Sequence, residues 1–133
     1  MKHTLYQALL VALGSASGGL ARWAIGLVAA SMFGSRFPWG TLVINVSGCL
    51  FLGWFGTLLG ERLWPSAEEL RLLVIVGFTG AFTTFSTFEF ETNTLLRNGD
   101  SLLGMSYLFA SIALGLLAVR LGMILAHAHW RMP

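Results

Sequence analysis

Between Phe37 and Gly60 the chain carries no charged side chain. A spanning helix needs roughly 20 predominantly apolar residues, so this run alone is long enough to cross a bilayer. It is not isolated. The chain is 56% hydrophobic and only 11% charged, with a mean hydropathy of +0.75, which places it with membrane proteins. At 133 residues there is room for about four such helices with short loops, and none for a soluble domain beside them. The expected fold is all-α: one transmembrane domain over 1–133, with helices at about 4–32, 40–59, 70–96 and 102–127.

The first apolar run starts after Lys2 and His3. Leu5 to Leu13 followed by Gly14-Ser15-Ala16-Ser17-Gly18-Gly19 has the outline of a signal peptide. Ala24 to Met32 continues the run, however, so a single first helix is the better reading. Gly14 and Gly18 form a small-xxx-small pair suited to close helix contact. Arg22 is the exception within this helix: a lone intramembrane arginine faces a partner or a cavity, or it snorkels to the interface. Trp39 is expected as an interfacial anchor at the start of helix two, in which Gly48, Gly53, Gly56 and Gly60 permit tight packing. Asn45 is the conspicuous polar group there. Its amide offers two donors, which leaves it as glue between helices or as a ligand donor.

Glu61 to Arg71 is the most polar segment, with a turn at Trp64-Pro65-Ser66 and a capping-box pattern from Ser66 to Glu69. The apolar run from Leu72 then reaches Gly80-Ala81-Phe82-Thr83-Thr84-Phe85-Ser86-Thr87-Phe88. Thr and Phe lose rotamer freedom in a helix, and Ser and Thr hydroxyls compete for the backbone. The composition therefore predicts a break near the middle of helix three. At bilayer depth a break is tolerated only where it is buried in protein or lines a water-filled cavity. A Thr/Ser-rich packing seam is the plainer reading of the same residues. Asn98-Gly99-Asp100 is a tight turn, and helix four follows with Tyr107, Ser111 and Gly115 on one side.

Several functions are argued against. A net charge of +2, scattered along the chain, does not suggest nucleic acid. The single Cys49 cannot form an internal disulfide and is expected to be a small buried residue. Glu89 and Glu91 are two residues apart and cannot share a helix face, a poor pair for acid–base work. His127 and His129 have no further ligand in view. With four spans, Lys2, Arg62, Arg71, Arg120 and Arg131 fall on one side of the membrane and Arg22, Arg36 and Arg97 on the other. So weak a bias makes insertion in both orientations plausible.

Gly40-Thr41-Leu42 followed by Asn45, then Gly80-x-x-Thr83-Thr84-Phe85-Ser86-Thr87-Phe88, resembles the Fluc (CrcB-type) fluoride channel family. The resemblance covers essentially the whole chain, including an arginine late in helix one and Tyr107-x-x-x-Ser111 in helix four. It implies an antiparallel, dual-topology homodimer in the bacterial inner membrane, surrounded by lipid, with two fluoride pores that relieve fluoride toxicity. It assigns Phe85 and Phe88 as pore phenylalanines and Asn45 as the pore amide, with Thr41, Thr87, Tyr107 and Ser111 as polar pore residues and Arg22 at a vestibule. It also implies a central structural sodium ion held by backbone carbonyls of Gly80 and Thr83 from both subunits. Ala81, where many members have a second glycine, and Glu89, where a serine is common, depart from the pattern.

The residue chemistry agrees with that resemblance. Fluoride is a small, strongly hydrated hydrogen-bond acceptor, so a selective pore replaces its water with donors. Asn45 and the hydroxyls are donors, and phenylalanine offers the positive edge of its ring. Weak sequential sites let an ion enter and leave. The alternatives are a small dual-topology drug exporter, which needs a membrane-embedded carboxylate where helix one has Arg22, and a non-transporting assembly subunit, which leaves the polar break without a purpose. An enzyme has no nucleophile–base or metal constellation to use.

Overall fold

The computed structural model describes residues 1–61 and 67–130. The turn at Trp64-Pro65-Ser66, the Ser66 end of the capping box, and Arg62 and Arg131 lie outside the described residues. Helix α1 runs Lys2–Phe33 and ends at Gly34, whose φ of 73° is the left-handed conformation glycine adopts without cost. Helix α2 runs Trp39–Glu61. The third apolar stretch is composite. The short α3 (Ala67–Leu70) leads into a π-helical segment, Arg71–Thr79, then α4 (Gly80–Phe82) and α5 (Phe85–Arg97). Gly99, with φ of 85°, makes the turn into α6 (Ser101–Trp130). Four stretches, Lys2–Phe33, Trp39–Gly60, Ala67–Arg97 and Ser101–Ala128, are long and apolar enough to cross a membrane. Each observed helix extends one to three residues beyond its expected bounds at one or both ends, as flanking polar residues join the terminal turns.

Two tight seams hold the bundle. In the first, α1 lies against the π-helical segment: a Cβ on Gly14 would strike Leu73 O, and one on Gly18 would strike Phe78 O. Opposite them, Gly77 has Gly14 Cα 3.0 Å from where its own Cβ would stand. In the second seam α2 packs on α6 through Gly53, against Val119, and Gly122, against Leu50 and Trp54. Lipid is as apolar as a leucine, so little hydrophobic drive brings spans together; close backbone packing at small residues supplies the attraction instead. Among the described residues Gly56 and Gly60 take no part, since only Leu52 of the same helix comes within 4 Å of a Cβ on Gly56 and nothing comes within 4 Å of one on Gly60.

Large apolar side chains point outward along the spans, among them Leu9, Leu20 and Leu27 on α1 and Leu116, Leu117 and Ile124 on α6. The buried cluster is correspondingly small: Leu42, Phe88, Leu95 and Tyr107, with Phe37, Val46, Leu103 and Leu108 against it. Trp39 packs on Phe37 with ring centroids 4.6 Å apart, tying the α1–α2 loop to this cluster.

Candidate functional site

The site is built where α4 gives way to α5. Thr83 (φ −78°, ψ 156°) and Thr84 (φ −149°, ψ 114°) are extended, so two residues leave the helical path between Phe82 and Phe85. Two of the amides displaced there find side-chain acceptors. Thr84 N–H donates to Asn45 Oδ1 at 2.8 Å, and Asn45 Nδ2 donates to Thr84 O at 3.0 Å. The amide donor fixes which end of the Asn45 side chain is the oxygen. Thr84 Oγ1 caps α5 by accepting from Thr87 N–H at 3.3 Å and donates to Thr87 Oγ1 at 2.9 Å. In a continuous helix Thr84 N–H would serve the Gly80 carbonyl and Thr87 N–H the Thr83 carbonyl. Both donors have been taken by side chains.

Beside this junction runs a groove of about 430 Å³ lined by Asn45, Thr83, Thr84, Phe85, Phe88 and Ser111, among others. Asn45 spends one of its two N–H donors on Thr84 and keeps the second. Ser111 Oγ is buried and has no hydrogen-bond partner among the described residues. Phe85 is 74% exposed on this face, whereas Phe88 is buried, its ring centroid 5.9 Å from that of Phe85. Cys49 lines the same groove and is half-buried rather than buried in a core.

Phe88 is a shared wall. Its other side packs on Tyr107, centroids 5.3 Å apart and edge-on. Tyr107 OH donates to Glu91 Oε2 at 2.8 Å, and Thr41 Oγ1 donates to Glu91 Oε1 at 2.9 Å. Thr41, Glu91 and Tyr107, from α2, α5 and α6, thus form one polar cluster around a carboxylate. Glu89, by contrast, is exposed.

The expected site residues therefore divide. Asn45, Thr83, Phe85, Phe88 and Ser111 share the groove, and Thr41 and Tyr107 stand behind Phe88. Thr87 meets Thr84 but is not among the lining residues, and half-buried Arg22 on α1 lies outside the groove as well. Gly80 is exposed at the start of α4.

A sequence model described as CrcB-like protein, Camphor Resistance (CrcB) matches residues 9–123. The chain belongs to the CrcB family. Similar CrcB relatives are named fluoride-specific ion channel FluC. One from Solibacter usitatus is 48% identical over 118 residues, covering 89% of this chain and 96% of the relative. Another, from Synechococcus sp., is 46% identical over 121 residues (91% and 92%), and one from Rhizobium johnstonii is 43% identical over 124 residues (93% and 98%). With its four apolar spans, this CrcB protein is a multi-pass membrane protein.

Two members of the site, Thr84 within the expected break and Glu91 after it, were given no site role by the sequence reading. Thr84 is both the partner of Asn45, a role that depends on a neighbouring helix, and the local cap of α5. Glu91 carried a usable signal, since it follows Phe88 by three residues and so shares its helix face.

Proposed function

We propose that this CrcB protein is a fluoride-selective passive channel of the bacterial inner membrane, exporting fluoride that accumulates in the cytoplasm. The observation that carries the reading is the groove at the α4–α5 junction, where a spare Asn45 N–H and the unpartnered Ser111 hydroxyl lie beside the ring of Phe85. These are donors and positive ring edges of the kind that replace fluoride's hydration. The names of its relatives, fluoride-specific ion channels, support the same substrate. The helix N-terminus at Phe85 adds a partial positive charge on the same side. No step of this reading uses covalent chemistry, so the protein acts as a transporter rather than an enzyme.

In this reading the third span works as a broken helix in an antiparallel, dual-topology homodimer with two pores. The exposed Gly80 and Phe85 support a second copy over this face. The residues also fit a structural sodium ion: the Gly80 and Thr83 carbonyls have lost the amides a continuous helix would give them, and carbonyl oxygens suit a hard cation. Bound there, sodium would neutralise oxygens that lipid cannot satisfy. The deciding experiment is efflux from liposomes holding the purified protein. Fluoride should leave down its gradient without ATP or a proton gradient while chloride stays behind; equal loss of both ions would refute the proposal.

A further inference from the structure

A second cavity, about 440 Å³, opens between the α1–α2 loop and α5, and its lining includes Arg36, Phe37, Glu91, Asn98 and Asp100. It reaches the carboxylate that Thr41 and Tyr107 hold, and Tyr107 packs on Phe88, the wall of the groove with Asn45 and Ser111. At its outer end Arg36 Nη2 stands 3.9 Å from Asp100 Oδ1, with the two side chains 86% and 42% exposed. Both residues also line the adjoining cavity of about 710 Å³, so the pair stands between two openings. Of the cavity's lining residues, Glu91 and Asp100 are acidic and Arg36 is the one base. An anion using this route meets two carboxylates and a single guanidinium.

We propose that Arg36 is the anion-collecting residue at this mouth of the permeation path, and that Asp100 restrains it. The inference rests on the fluoride-channel reading and extends it to a residue that no motif includes. A pair this exposed contributes little to stability, yet a charge at a narrow mouth acts on ions arriving through low-dielectric walls and raises their local concentration. Without Arg36, Glu91 and Asp100 would repel the anion unopposed. Without the Asp100 charge, Arg36 would attract it more strongly. Because Arg36 is exposed, salt should screen its influence.

The test is fluoride efflux from liposomes holding the full-length protein, at ionic strengths of about 10 mM and about 0.3 M set with impermeant gluconate. Arg36→Gln should slow efflux by about threefold to tenfold at low ionic strength and approach wild type at high. Arg36→Lys should retain the wild-type rate. Asp100→Asn, which keeps a side chain favoured at the start of α6, should speed efflux at low ionic strength only. An Arg36→Gln rate equal to wild type at low salt, a deficit of the same size at both salts, or no rescue by lysine overturns the proposal. If Arg36→Gln does not reconstitute, Asp100→Asn decides: an unchanged rate at low salt overturns it. Wild-type protein that releases no fluoride refutes the channel reading itself, before any variant is compared.

Discussion

Asn45 and Thr84 exchange two hydrogen bonds, the Asn45 carbonyl accepting at 2.8 Å and its amide donating at 3.0 Å, so one side chain supplies the acceptor a continuous helix would give Thr84 N–H and adds a second donor to the cap carbonyl of α5. Thr84 is 8% exposed, and water has little access to either group. Asn45→Ala leaves the buried Thr84 N–H unpaired, at about 1–3 kcal/mol. A lowered melting temperature together with reduced fluoride efflux is expected. Asn45→Asp keeps the acceptor for Thr84 N–H but removes every donor, so it should cost flux more than it costs thermal stability.

Tyr107→Phe keeps the edge contacts to Phe88 and Phe37 and deletes the donor to Glu91 Oε2. The half-buried carboxylate then retains Thr41 alone. The expected loss is about 1–3 kcal/mol of stability, with slower efflux. Adding Thr41→Val should give a non-additive change in a double-mutant cycle, because both residues serve one carboxylate.

The glycines of α2 and α6 differ sharply. A Cβ at Gly122 would stand 2.7 Å from Trp54 N, against backbone that cannot yield, whereas among the described residues one at Gly56 would meet only Leu52 Cδ1 at 3.9 Å. Gly122→Val should cost at least about 1–3 kcal/mol through overpacking and lower the yield of folded protein on size exclusion. Gly56→Ala should behave as wild type in the same measurement.

Replacing sodium with a bulky organic cation during purification should lower both the melting temperature and the fluoride flux. The Gly80 and Thr83 carbonyls would then lie at bilayer depth without a partner. Unchanged melting and flux would mean that the Asn45 and Thr84 side chains close the junction unaided.

A single cysteine at position 3, in a Cys49→Ala background, should label from both sides of the membrane in one preparation. Labelling from one side alone would refute antiparallel assembly. Adding lysines between Glu61 and Arg71 should force one orientation and abolish efflux until an oppositely biased copy is co-expressed.

The sequence by itself determined the four spans, because hydropathy over bilayer-length runs is a local property and backbone in lipid has few alternatives to helix. It also singled out Gly14, Gly18 and Gly53 as packing residues and gathered Asn45, Phe85, Phe88 and Ser111 as candidates for one site. Tertiary structure decided what these residues touch. Whether Asn45 was glue or donor could not be read from its identity; the Thr84 peptide uses its oxygen and one N–H, and a second N–H remains. Gly53 meets the Val119 backbone of α6, while Gly60 has no neighbour within 4 Å of its Cβ position among the described residues. Glu91 became the centre of a cluster only when α2 and α6 brought Thr41 and Tyr107 to its two oxygens. Spans are set by the transfer energy of their own residues. Hydrogen-bond partners separated by tens of positions in sequence are set by how the spans dock.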